Sequence, residues 1–177
     1  KHLRGLEHIA TYTVSNMNSS KYLVIQIIPN DIKNIILVLE NFNLIVYYEK
    51  NHNDNINIWI FFNEEISSKI VCLLGQKILK SSSINGIIFP NIIYFDKDNL
   101  GSFLPLPLNL KYRNQNKNIF IDIVTMKPID NQWLFLSKIK KNSIYTINNI
   151  LNIKNQNKQN HIIINNNKNK NKSKSKS

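Results

Sequence analysis

The chain has 177 residues, 42% of them hydrophobic, which is enough for one domain with a real core and too few for two. Its formal charge of +12 is unevenly placed. Ten of the 23 basic residues and none of the 11 acidic ones fall in 138–177, so the rest of the chain holds 13 basic against 11 acidic side chains. Cys72 is the only cysteine, which excludes an intrachain disulfide, and no apolar run is long enough to span a bilayer. No secretory signal opens the sequence, so the expectation is an intracellular, non-secreted protein with no membrane partner.

Residues 9–14 alternate as a strand does, and Tyr22-Leu23-Val24-Ile25-Gln26-Ile27-Ile28 reads as a second, more buried strand stopped by Pro29. Asn30 is placed to cap a helix whose Ile32, Ile35, Ile36 and Leu39 fall on one face. A third strand is expected over 44–48, then a polar loop over 49–56. Asn57-Ile58-Trp59-Ile60-Phe61-Phe62 has the β-branched and aromatic run of a strand buried on both faces. Asn63 is placed as the cap of the next helix, with Glu64 and Glu65 against its positive end and Ile66, Ile70, Leu73, Leu74 and Ile78 at helical spacing.

Strand-like pieces recur over 87–95, 103–108 and 119–123, and a short helix is expected to open at Asp130-Asn131-Gln132-Trp133 with Leu134 and Phe135 docking. The order predicts an α+β fold: a β-α-β-β-α-β, RNA-recognition-like or ferredoxin-like antiparallel sheet with two packed helices, plus additional hairpin segments. The domain is placed at 1–140. Residues 141–177, rich in Asn, Lys and Ser, read as a disordered basic tail that favours anionic partners, nucleic acid first.

Some tempting residues have plain explanations. Cys72 sits in the apolar register of a helix and reads as core, as does Trp59 between two Ile residues. His2, His8, His52 and His161 lack metal-ligand spacing. Asp96 and Asp98 form an Asp-x-Asp, but Asp and Asn crowd there as they do in turns. Lys111-Tyr112-Arg113 interleaves charge with an aromatic ring, as single-stranded nucleic-acid sites do.

Five segments in order resemble the primase–polymerase module of the archaeo-eukaryotic primase superfamily, in the form found in TOTE conflict systems. They are His2-Leu3-Arg4-Gly5, Trp59-Ile60-Phe61-Phe62, Phe89-Pro90-Asn91, Gly101 with Leu106-Pro107-Leu108, and Pro128-Ile129-Asp130-Asn131-Gln132-Trp133. The resemblance implies nucleotidyl transfer with two divalent metals held by carboxylates. It places the family's Asp-x-Asp pair on Gln26 and Ile28, its His on Asn57 and its third Asp on Ile93. The family's glycine-rich loop becomes His52-Asn53-Asp54-Asn55-Ile56, without glycine. The resemblance also places 111–117 near the template side, so Arg4, Lys111, Tyr112, Arg113 and Lys117 are the nucleic-acid candidates.

Each implied catalytic position carries a side chain that cannot replace a carboxylate or imidazole. The reading is a catalytically degenerate primase-like domain that at most binds single-stranded DNA or RNA, with no cofactor expected. Two rivals stand beside it. One is an active primase or polymerase using Asp96 or Asp98 with Mg or Mn. The other is a non-functional structural remnant of a mobile-element protein, with a helicase or nuclease module elsewhere in a longer chain.

Overall fold

The computed structural model describes residues 1–94 and 103–153. A short 3-10 turn, His2–Arg4, leads to strand β1 (Ala10–Tyr12) and then to β2 (Ser19–Ile27), which Pro29 ends. Helix α1 (Ile32–Asn41) buries Ile35 and Leu39, as their spacing predicts. Its N-cap is Asp31 rather than Asn30, because Pro29–Asp31 forms a 3-10 turn that delays the helix. Strand β3 (Tyr47–Lys50) comes later than the expected 44–48 and takes Glu49 and Lys50 out of the anticipated loop.

Strand β4 (Ile56–Ser67) and helix α2 (Ser68–Ser82) correct the predicted junction. Asn63, Glu64 and Glu65 are strand residues, and Ser67 is the N-cap position. Two contacts keep the backbone extended. Asn63 N donates to Asn142 O at 2.9 Å, and β4 resumes pairing with β2 beyond a bulge, at Ile66 opposite Ser20 and Ser67 opposite Ser19. Ile66 then points into the core, so burial outweighs the local capping preference.

Next come β5 (Ile87–Phe89), β6 (Phe103–Pro105), the single turn α3 (Leu110–Arg113) and β7 (Ile119–Ile121). Helix α4 (Gln132–Ser137) is capped by Asn131, whose side chain accepts from Leu134 N. Phe135 packs inward while Leu134 stays half exposed. Helix α5 (Ile144–Leu151) is a correction to the expected tail. Ser143 caps it, and Ile147 is fully buried against the core. Residues 154–177 lie outside the described residues.

The main sheet runs β5-β2-β4-β3-β7, every neighbour antiparallel, and β1 pairs with β6 in a separate two-stranded sheet. The run β2-α1-β3-β4-α2-β5 is thus the expected β-α-β-β-α-β unit, with β4 between β2 and β3. One sheet face carries Leu23, Ile25, Ile27, Ile58 and Ile60, packed on the helices. On the other, Val24, Trp59, Leu104 and Phe120 form a smaller aromatic cluster with Tyr22, Tyr47 and Phe61 around it. Strand alternation puts Gln26, Glu49 and Asn57 on that second face.

Candidate functional site

Cross-strand register builds the site. Asn57 on β4 lies opposite Gln26 on β2 and opposite Glu49 on β3, so three neighbouring strands set three polar side chains side by side. Asn57 is the hub. Its Oδ1 accepts from Gln26 Nε2 at 3.0 Å and from Asn51 Nδ2 at 3.2 Å, and its Nδ2 donates to Glu49 Oε2 at 3.1 Å. The same Oε2 accepts from Trp59 Nε1 at 2.7 Å.

Glu49 is 1% exposed and, among the described residues, has no salt-bridge partner. Burial pushes its carboxyl up from the usual 4.5 to about 7, against the opposing pull of the Trp59 and Asn57 hydrogen bonds. Sequence reasoning missed this residue by placing it at the start of a loop. The signal that could have found it was Trp59, since an indole buried on a central strand needs an acceptor on its neighbour.

Beside this network is a cavity of about 30 Å³ lined by Gln26, Glu49, Asn51, His52, Asn57 and Asn118, with Phe89, Leu104 and Pro105 as its apolar walls. Asn118 is 3% exposed, and its Oδ1 is buried with no hydrogen-bond partner. A wider open depression of about 440 Å³ near Ser15, Ser19 and Glu65 shares none of these residues.

The loop after β3 closes on itself. Asn51 Oδ1 accepts from Asn53 N at 2.9 Å and Asn55 N at 3.1 Å, and Asp54 N donates to Asn51 O. These amides are therefore satisfied within the loop. Lys50 and Lys117 both pair with Asp54, and their hydrogen bonds hold its carboxyl below the usual range.

Of the four positions singled out in the sequence, Gln26 and Asn57 come together. Ile28 lies past the end of β2, 54% exposed, and Ile93 lies past β5 with its carbonyl accepting from Ser68 Oγ. Asp96 and Asp98 lie outside the described residues. Cys72 is buried, its thiol donates toward Pro90 O at 3.2 Å, and burial pushes its pKa up.

The basic candidates gather at one edge. Gly5, at φ 74°, lets the 3-10 turn bearing Arg4 lie against α3, where a Cβ would meet Lys111 N at 3.0 Å. Lys111 is exposed, its Nζ 5.9 Å from the centre of the Tyr112 ring. Tyr112 is half-buried between His8 and His52, with ring centres at 5.0 and 5.4 Å. Arg113 is half-buried on the same turn, and Lys117 is held by Asp54.

The family model described as the archaeo-eukaryotic primase domain of TOTE conflict systems matches residues 1–150. The chain belongs to that primase family. No curated protein matches it. Two of the primase-like motifs now have physical roles. His2 Nε2 lies 2.9 Å from Pro107 O while its Nδ1 accepts from Ile9 N, which ties the opening motif to the Leu-Pro-Leu segment. Gln132 accepts from Phe120 N and donates to Phe120 O and Ile129 O, so the closing motif clamps β7.

The resemblance implies divalent metal held by carboxylates, and two candidate carboxylates, Asp96 and Asp98, lie outside the described residues. Among the described residues, no cluster of three or more His, Cys, Asp or Glu is placed to hold a metal ion. Among the described residues the carboxylate beside Gln26 and Asn57 is Glu49, whose Oε2 accepts from two donors. Also among the described residues, no helix is long and apolar enough to cross a membrane.

Proposed function

We propose that this primase-family domain no longer catalyses nucleotidyl transfer and that it acts by holding single-stranded nucleic acid at its basic edge. The observation that carries the reading is the Gln26 Nε2 to Asn57 Oδ1 hydrogen bond. Two positions where the family keeps metal and phosphate chemistry are spent on each other. A neutral amide pair supplies no charge to bridge two divalent cations. The closed loop 51–55 supports the same reading, because its amides are bonded to Asn51 and not presented to a phosphate.

Arg4, Lys111 and Arg113 stand on adjoining segments, and this supports a backbone-tracking contact that senses charge more than sequence. The test is a pair of titrations on the full chain. A labelled nucleoside triphosphate is titrated with and without manganese, and labelled single-stranded DNA and RNA are titrated at several salt concentrations. The expected result is no manganese-dependent nucleotide binding, with salt-sensitive binding to the single strands. Micromolar, metal-dependent nucleotide binding that is lost on Asp96→Ala or Asp98→Ala would establish the active enzyme instead. Absence of strand binding at every salt concentration would leave only a structural remnant.

A further inference from the structure

Strands β1 and β6 form a two-stranded ribbon apart from the main sheet. Its register sets Ala10 opposite Pro105, Thr11 opposite Leu104 and Tyr12 opposite Phe103. Alternation gives the ribbon two faces. Leu104, 1% exposed, turns inward to Val24, Trp59 and Phe120 and fixes the ribbon to the main sheet. Tyr22 Oη helps to hold it, donating to Tyr12 O at 3.1 Å. Ala10, Tyr12, Phe103 and Pro105 face outward and are exposed.

Tyr12 and Phe103 make that outward face aromatic. Their ring centres are 4.8 Å apart, yet the two residues remain 46% and 54% exposed, so their contact leaves ring surface open to solvent. A cross-strand aromatic pair steadies a ribbon. Here the anchoring already comes from Leu104 on the opposite face, and the outward rings are left with surface to offer.

Position and charge say what fits them. Strand β1 leaves the basic edge directly. His8, whose ring centre is 5.0 Å from that of Tyr112, is four residues from Tyr12, at most about 13 Å of extended chain. Segments 8–14 and 103–110 contain no Asp, Glu, Lys or Arg. The face thus offers aromatic surface with no carboxylate to repel a phosphate, and the cations stand at one end, on Arg4, Lys111 and Arg113. Single-strand sites divide their work in this way, charge following the backbone and rings taking the bases. An apolar peptide would cover the rings and make no use of the adjoining cations.

We propose that the outward face of the β1–β6 ribbon is a base-stacking platform, on which Tyr12 and Phe103 take unpaired bases of a strand whose phosphates lie at the basic edge. The inference rests on the strand-binding reading above and adds to it a second, uncharged half of the site.

In the experiment the full chain is titrated with labelled oligodeoxythymidine and with an abasic strand of the same length, at several salt concentrations. Replacing both rings, Tyr12→Ala with Phe103→Ala, is expected to weaken oligodeoxythymidine binding about 5- to 150-fold, the range for one lost base stack. The slope of log K against log salt should not change, because no charge is removed. The abasic strand should bind both proteins equally. Tyr12→Phe with Phe103→Tyr keeps both rings and should bind as the unaltered chain does. If the alanine variant does not fold, photocross-linking of a bromodeoxyuridine strand to the unaltered chain decides the matter, with attachment expected at Tyr12 or Phe103. Equal oligodeoxythymidine binding by the alanine variant and the unaltered chain, or cross-links confined to 111–113, overturns this proposal and leaves the basic edge as the whole contact. An unaltered chain that binds no strand at all overturns both. Self-association of the unaltered chain that the alanine variant lacks would assign the face to a second copy and overturn the platform as well.

Discussion

Trp59 Nε1 donates to Glu49 Oε2 at 2.7 Å, from a central strand to its neighbour. Each group answers the other's need. A buried indole N–H requires an acceptor, and a buried carboxylate requires donors. The pair also joins the aromatic cluster around Val24 and Phe120 to the polar network centred on Asn57.

Glu49 should make stability fall as pH rises. Its folded-state pKa is raised from 4.5 to about 7, so the folded chain holds a proton that the unfolded chain has released. The favourable contribution is complete below about pH 4.5, is lost between there and about pH 7, and stays lost above. The loss is about 3 kcal/mol. Asp54 and Asp122, whose pKa values are lowered, act in the opposite sense at more acid pH and do not overlap this window. Urea unfolding from pH 5 to 8 measures the slope. Glu49→Gln keeps an oxygen for both donors and should flatten it.

Removing the hub should cost more than one hydrogen bond. Asn57→Ala strips the acceptor from Gln26 and Asn51 and one donor from Glu49. Buried polar groups left unpaired carry their desolvation penalty, so a loss of about 2–4 kcal/mol is expected in chemical denaturation. Asn53→Ala, on the exposed part of the loop, should be nearly neutral and serves as the comparison.

Helix α5 should be an integral part of the domain. Ile147 is fully buried, so Ile147→Ala is expected to lower stability by about 2–5 kcal/mol. Tyr145→Ala, at a position 64% exposed, should cost far less. If the two variants unfold at the same urea concentration, α5 does not dock in solution.

Neutralising the basic edge should weaken strand binding through charge alone. The triple variant Arg4→Gln, Lys111→Gln, Arg113→Gln removes three cations from adjoining segments. If all three meet phosphates, the slope of log K against log salt for single-stranded DNA should become shallower by about 2. An unchanged slope would move the contact elsewhere on the chain.

The sequence by itself determined the frame. Periodicity marked β2, α1, β4 and α2, and the order of those elements matched the β-α-β-β-α-β unit, because a two-residue or a 3.6-residue repeat of apolar side chains is a local property. The motifs that placed the chain among TOTE primases were also legible, being short runs whose identity needs no contact map. Three things were decided only by tertiary structure. Asn63 looked like a cap, yet pairing with Asn142 and the burial of Ile66 keep that backbone in a strand. Residues 144–151 looked like part of a polar tail, yet Ser143 caps a helix there and Ile147 finds a core supplied by distant residues. Glu49 looked like the edge of a loop. It became the buried centre of a site because strand register set it beside Trp59 and Asn57, and register is a relation between strands that no single stretch of sequence contains.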